Sequence, residues 1–169
     1  MKTQRRRFAI CAMLIGLLFV LPLGGIASET GVAAFQIAGR LVYLPDGWDA
    51  VEGPTGAPQI QFLESNGKQG SCIVRVALLS PEQTAADSKV VLEEVCASLG
   101  GDIYTLIRIG NRDVATFDCL QDGGRNITHG VFVEDSDAVV VQLYITESRT
   151  TLRQQALLVD IIKGIGAKE

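Results

Sequence analysis

Apolar and polar residues alternate in short runs along much of the chain, which is the pattern of half-buried β-strands. The run FQIAGRLVYL over residues 35–44 alternates as one strand, and residues 45–47 after it are suited to a turn. WDAVEG fits a short second strand, and QIQFLES and SCIVRVALL fit two more around a turn at residues 66–70. The region before residue 80 is therefore predicted to be β-structure.

The segment that begins at Ser80 is predicted to be a helix. Ser80 is suited to the N-cap, Pro81 to the first helical position, and Gln83 completes a capping box. Gly100 and Gly101 are suited to end the helix in a left-handed conformation. Helical spacing places four apolar residues on one buried stripe: Leu92, Val95, Cys96 and Leu99.

Four apolar runs separated by hairpin-length turns follow this helix, and they predict a four-strand meander. The runs span residues 102–109, 113–120, 127–134 and 138–146. An amphipathic helix is predicted over the last segment, TLRQQALLVDIIKGIG. Its apolar stripe consists of Leu158, Ile161, Ile162 and Ile165.

The strands of the meander are apolar on both faces. In the last strand, Val139, Val141 and Leu143 point one way, whereas Val140 and Tyr144 point the other. A sheet that is apolar on both sides must be covered on both sides, and two helices can each cover one face. The predicted fold class is therefore α+β, a largely antiparallel sheet with helices packed on its faces, or α/β/α sandwich.

The segment YLPDGW, from Tyr43 to Trp48, is a short motif that can be considered together with this order of elements. Together with the short strands, the helix, the meander and the apolar C-terminal helix, it resembles the PsbP-like and DcrB-like α/β/α sandwich group. In that group an early strand often runs into a Pro–Gly–Trp-type turn. The resemblance implies a binding, adaptor or assembly role, and it brings no shared catalytic residues or cofactor to this chain.

The first 27 residues are predicted to be a secretory signal peptide. A basic start, from Lys2 to Arg7, leads into an apolar run from Phe8 to Leu23, and small residues before the cut after Ala27 suit cleavage. The alternative is an uncleaved anchor, although the run is near the lower length limit for a spanning helix and Pro22 interrupts its end. Residues 28–34 are then a loose lead-in, and residues 35–169 form one domain that is periplasmic or secreted.

The charge of the exported part is strongly acidic. Four of the 15 basic residues and none of the 19 acidic residues precede the predicted cut. Such a charge argues against nucleic acid and against an anionic membrane surface as partners, so only an uncleaved N-terminal segment would contact a membrane. We expect no metal and no cofactor, because one histidine and scattered cysteines lack ligand spacing. EDSD, residues 134–137, is interpreted as a solvated turn rather than a calcium loop.

The stretch DCLQDGGRNITHG, residues 118–130, holds the chain's single histidine. A hairpin with Gly123 and Gly124 at its tip places Asp118 opposite His129, and the next hairpin places His129 opposite Gln142. The row Asp118–His129–Gln142 is a candidate general base of a small hydrolase or isomerase, or else a hydrogen-bonded row without catalysis. The same register puts Cys119 and His129 on opposite faces and so excludes a thiol–imidazole pair.

Three cysteines follow the predicted cut, which permits one internal disulfide and one remaining thiol. A hairpin at Gly110 and Asn111 places Asp102 beside Cys119, and Cys96 lies on the buried stripe of the helix just before. We therefore predict a Cys96–Cys119 disulfide, closing a loop of about 24 residues worth about 3 kcal/mol. A bond that involves Cys72, or three reduced thiols, are the alternatives.

These observations favour a non-enzymatic binding or adaptor domain of the cell envelope, whose partner is a protein or a small ligand. The alternative is a small periplasmic hydrolase or isomerase that uses the Asp118–His129–Gln142 row. The two hypotheses differ in one structural requirement, because only the second needs all three side chains on one face of the sheet.

Overall fold

The structure is a computed structural model that describes residues 34–45, 48–52, 58–63, 68–120, 126–145 and 152–168. The predicted signal peptide and the predicted hairpin tip at Gly123 and Gly124 lie outside these residues. The described elements, in chain order, are β1 (Ala34–Ile37), β2 (Arg40–Tyr43), β3 (Asp49–Glu52), β4 (Pro58–Leu63), β5 (Gln69–Leu78), α1 (Pro81–Ala85), α2 (Ser88–Ser98), β6 (Thr105–Ile109), β7 (Arg112–Leu120), β8 (Asn126–Glu134), β9 (Asp137–Ile145), α3 (Leu152–Gly164) and β10 (Ile165–Lys168).

The main sheet of the described chain has seven strands in the order β3-β4-β5-β9-β8-β7-β6, and each neighbouring pair is antiparallel. One face carries Ala115, Val131 and Val140 and packs against α2. The other face packs against α3 through a second apolar cluster, which includes Val141 and Leu143. The structure therefore confirms the predicted α+β class and the covering of both sheet faces.

A second, three-stranded sheet differs from the sequence prediction. Residues 35–44 form not one strand but the hairpin of β1 and β2, which turns at Ala38 and Gly39 with φ angles of 48° and 78°. β10 pairs with β2, although its residues were predicted to end the last helix. The chain leaves the helix at Gly164, where a Cβ would lie 2.3 Å from the Tyr43 carbonyl oxygen, so the backbones approach too closely for any larger residue.

The predicted helix after Ser80 is two helices. Ser80 and Gln83 form the predicted capping box at the start of α1, with Ser80 Oγ accepting from the Gln83 amide at 3.2 Å. Asp87 then begins α2, because its carboxylate accepts from the Lys89 amide at 2.8 Å. The second cap starts a new helix axis, and the apolar stripe predicted from Leu92 onward lies on α2.

A buried ion network joins the small sheet to the hairpin of β8 and β9. Arg40 of β2 has a fully buried side chain that donates to Glu134 at 2.6 Å and to Asp137 at 3.2 Å, and it lies 3.4 Å from Asp135. Arg112 of β7 bonds Glu134 through both carboxylate oxygens, at 3.1 and 2.9 Å. The interpretation of EDSD as a solvated turn was wrong for Asp137, which is fully buried.

Candidate functional site

The register between β7 and β8 differs by one residue from the predicted one. Phe117 stands opposite His129, and Asp118 stands opposite Thr128. Because neighbouring residues of a strand point to opposite faces, this shift places Asp118 on the α3 face and His129 on the α2 face. The predicted pairing of His129 with Gln142 is present. The Asp118–His129–Gln142 row is therefore not formed, and the hydrolase or isomerase hypothesis loses its proposed carboxylate.

His129 is buried under α2 in a largely apolar setting. Its ring stacks on Phe117 with centroids 4.5 Å apart, and its Nε2 lies 2.9 Å from the amide nitrogen of Gln142. Tyr144 donates to the Gln142 oxygen, which leaves the amide nitrogen to donate to His129 and assigns the ring proton to Nδ1. Burial lowers the pKa of His129, so the imidazole is held neutral rather than poised as an exposed base.

The three cysteines of the described chain are free thiols, so the predicted Cys96–Cys119 disulfide is absent from the structure. Cys96 and Cys119 nevertheless lie in the same region, as predicted, since both belong to the apolar cluster beneath α2. The Cys119 thiol instead donates to the carbonyl oxygens of Leu99 and Gly100, at 3.5 and 3.7 Å. Cys72 lies across the sheet, in the cluster that packs against α3, and is therefore separated from the other two.

Cys119 and His129 share the α2 face, contrary to the prediction. No hydrogen bond between them is found among the described residues, because the Cys119 thiol is directed to the end of α2. Burial raises the pKa of the Cys119 thiol, and the neighbouring Asp118 carboxylate raises it further. A thiol with a raised pKa is a poor nucleophile at neutral pH. The sequence also predicted that Cys119 and His129 do not form a catalytic dyad. That prediction remains, but its basis is now the direction and the raised pKa of the thiol, and not opposite faces of the sheet.

A cleft of about 640 Å³ lies between α3 and the strands β6, β7 and β8, on the face opposite His129. Asp118 lies in this cleft and is exposed. The wall from α3 includes Leu158, Asp160 and Lys163. The sheet and the segment before β6 contribute the remaining polar and aromatic side chains, chiefly Tyr104, Thr105, Thr116 and Thr128.

Small residues on the sheet explain why α3 packs closely against the sheet and why a space remains beside the helix. At Gly130, a Cβ would lie 2.7 Å from Ile162 Cδ1, so the glycine lets α3 approach the sheet closely. Thr105, Thr116 and Gly130 stand side by side on β6, β7 and β8. The two threonines are too short to fill the space under the edge of the helix, and the cleft opens there.

The described residues that line the cleft include two carboxylates and one ammonium group, those of Asp118, Asp160 and Lys163. Asp160 and Lys163 are 3.7 Å apart on successive turns of α3 and are both exposed, so this pair contributes little to stability. Asp118 has no ion-pair partner among the described residues. The Thr116 hydroxyl donates to the Thr105 carbonyl oxygen at 3.2 Å, which fixes the polar floor near Asp118. The cleft can therefore accept a ligand that carries a positive charge or hydrogen-bond donors.

The sequence contained a partial signal for this cleft that the sequence interpretation did not use. Thr116, Asp118 and Thr128 bring three polar side chains to the sheet face that packs against α3. The position of α3 over that face could not be read from the chain. In the part of the chain that the structure describes, no group of His, Cys, Asp and Glu residues suitable for a metal ion is found.

The chain folds as a small α+β domain with a cleft between a helix and one end of its main sheet. No protein-family model matches the chain, and no curated protein matches it. A solved structure from Bacteroides thetaiotaomicron is similar at 13% identity and a TM-score of 0.47, covering 78% of this chain. The chain spans 46% of the length of that structure.

A second similar structure is the solution structure of cyanobacterial PsbP (CyanoP) from Synechocystis, a member of the group named from the sequence. It is 13% identical with a TM-score of 0.45, and the match covers 90% of this chain and 95% of the other. Both likenesses concern the fold alone. No described helix is both long enough and apolar enough to span a membrane.

Proposed function

We propose that this chain is a non-enzymatic binding or adaptor domain of the cell envelope and that the cleft beside α3 is its binding site. The observation that carries the proposal is the cleft itself, whose volume of about 640 Å³ lies within the usual range for ligand sites. Its lining combines apolar walls with a few polar groups, which is the composition that orients a bound ligand.

The chemistry of the cleft supports binding rather than catalysis. Asp118 has no imidazole beside it, because His129 is on the other side of the sheet. The thiols on the α2 face are also removed from the cleft, since Cys96 and Cys119 pack with α2. The export of the domain rests on the predicted signal peptide, and so its periplasmic or secreted location is part of the proposal.

The test places a photo-crosslinking amino acid at Ile103, which lines the cleft and is 90% exposed. The matched control carries it at Val90 of α2, an exposed position on the opposite side of the sheet. The full chain is expressed in its native host, irradiated and analysed for protein adducts, while native mass spectrometry of the purified chain detects a small ligand.

We expect an adduct or a mass excess that depends on the cleft. The variant Thr116→Phe, which fills the floor, should abolish it, and Thr116→Ser, which does not, should leave it unchanged. Equal adducts from Ile103 and Val90, or no adduct and no mass excess at all, would remove the cleft as a binding site.

A further inference from the structure

The outer edge of β6 has no neighbouring strand among the described residues. β6 is the last strand of the main sheet, and β7 is its single strand neighbour among the described residues. The pairing runs without a shift from Thr105 opposite Thr116 to Ile109 opposite Arg112, so no bulge distorts the edge. Proteins usually protect such an edge with proline, a bulge or unpaired charge, because free backbone groups attract another strand.

The sequence of β6, TLIRI, lacks the features that usually prevent another strand from pairing with an edge. It has no proline, and the charge of its one arginine is compensated, because Arg108 donates to Asp113 at 2.7 Å. Apolar side chains lie exposed around the edge: Ile103 is 90% exposed, Leu106 51% and Leu120 73%. A strand added to β6 would cover Leu106 on one face of the sheet and would meet the cleft on the other.

The charge around the cleft end of this edge is predominantly negative. Asp118 is exposed in the cleft and has no ion pair with another described residue, whereas Asp160 is partly compensated by Lys163. Asp102 precedes the exposed Ile103, and Glu93 accepts from the Tyr104 hydroxyl at 3.4 Å. Lys163, which also lines the cleft, is paired with Asp160, so the Asp118 carboxylate is the group in the cleft that an incoming cation can bind.

We infer that β6 and the cleft together bind an extended, basic peptide segment of a partner protein. The peptide backbone pairs with the free edge of β6, and a lysine or arginine side chain enters the cleft towards Asp118. Main-chain hydrogen bonds then give affinity, and the alternate side chains that reach the cleft give selectivity. This inference rests on the proposed function, because it names the partner class of the same cleft.

The experiment selects a phage-displayed library of random eight-residue peptides against the chain, purified after expression at full length. We expect enrichment of β-branched or aromatic residues at alternate positions, with lysine or arginine at one fixed position. Methylation of single peptide amides should then abolish binding at every second residue, because alternate N–H groups pair with β6. This alternation is a property of strand pairing that a merely electrostatic attraction lacks.

The contribution of Asp118 is tested with Asp118→Asn and with a peptide whose basic residue is replaced by norleucine. We expect Asp118→Asn to weaken the basic peptide at least about tenfold and to leave the norleucine peptide unchanged. Asp113→Asn is the matched control, because Asp113 is also exposed on β7 but lies on the opposite face, paired with Arg108. It should change neither affinity by more than about twofold.

Several results would overturn the inference. One is a peptide affinity that does not change in Asp118→Asn. A second is a loss of binding on amide methylation that does not alternate along the peptide. Another is a β6-mediated homodimer, seen by sedimentation and abolished by Leu106→Lys, because the edge is then occupied by a second copy. If no peptide binds but Ile103 still crosslinks a ligand, the peptide inference fails and the proposed function stands. If neither occurs, both fail.

Discussion

Phe117 stands opposite His129 on neighbouring strands, with their rings stacked at 4.5 Å between centroids and 6° between planes. This contact defines the register of β7 against β8 and thereby separates Asp118 from His129 by the thickness of the sheet. Two features follow from the one relationship: a neutral, buried histidine beneath α2, and an exposed carboxylate, that of Asp118, in the cleft beside α3.

Stability should fall as the pH decreases below about 6.5, the ordinary pKa of histidine, because of His129. Burial lowers its pKa in the folded state, so the unfolded chain binds the proton more tightly. The stabilisation is complete above the unfolded pKa and is lost as the pH falls towards the folded one. Urea unfolding at pH 7.5 and pH 5.5 measures it.

The matched variant is His129→Gln, which should lose most of the stability difference between these two pH values. Glu134 does not confuse the comparison. Burial alone would raise the pKa of Glu134, but hydrogen bonds from Arg112 and Arg40 hold it below its ordinary value. Its effect therefore begins at lower pH. An unchanged difference in His129→Gln would show that another group controls the pH dependence.

Arg40→Met should lower the free energy of unfolding by about 3–5 kcal/mol, because it removes the fully buried cation of the network and leaves Glu134 and Asp137 only the partly exposed Arg112 and Lys168. Asp137 is the most affected, since its side chain is fully buried and one oxygen accepts from Arg40 at 3.2 Å. Arg108→Ala is the control, because it breaks an exposed ion pair with Asp113 and should cost less than about 1 kcal/mol. Chemical denaturation compares the two.

The double variant Arg40→Met with Asp137→Asn separates unpaired charge from lost packing. Removing the buried carboxylate charge as well should recover part of the stability, and the double variant should be more stable than Arg40→Met alone. Equal costs for Arg40→Met and Arg108→Ala would contradict the structural importance of this network.

Gly130→Ala should destabilise the fold by about 1–3 kcal/mol through overpacking between the sheet and α3. The added Cβ would lie 2.7 Å from Ile162 Cδ1 and 3.2 Å from Leu158 Cδ1. Ile162→Val removes that Cδ1 atom, so the double variant should be less damaged than the sum of the two single changes. Thermal unfolding of all four proteins tests this, and strict additivity would indicate that the contact is not the cause.

Among the three described cysteines, Cys119 should react with a maleimide before Cys72 and Cys96. It is partly exposed, whereas Cys72 and Cys96 are fully buried, and burial raises the pKa of Cys96 to about 11. Peptide mapping after brief labelling should find Cys119 alone modified, and labelling in denaturant should modify all three. Simultaneous protection of Cys96 and Cys119 in denaturant without reductant would reveal a bond between them.

The register of two hairpins was predictable from the sequence, because their turns are short. The pairs Arg108 with Asp113 and His129 with Gln142 are both present as predicted, since a two-residue tip allows few alignments. The β7–β8 register was not predictable in the same way. The residues between these strands are more numerous, and both faces of the strands are apolar, so the hydrophobic pattern does not distinguish a one-residue slip.

The sequence by itself determined which segments form strands and helices, since periodicity and capping residues act locally: the Ser80 cap and the stripe of α2 are examples. The tertiary structure alone decided what Arg40 and Asp118 do. Arg40 meets Asp137 across 97 residues of chain, and no local pattern records a partner so distant. Asp118 lies in a cleft because α3 packs closely against the sheet at Gly130. The space that is left beside the helix depends on packing between elements that are distant in the chain.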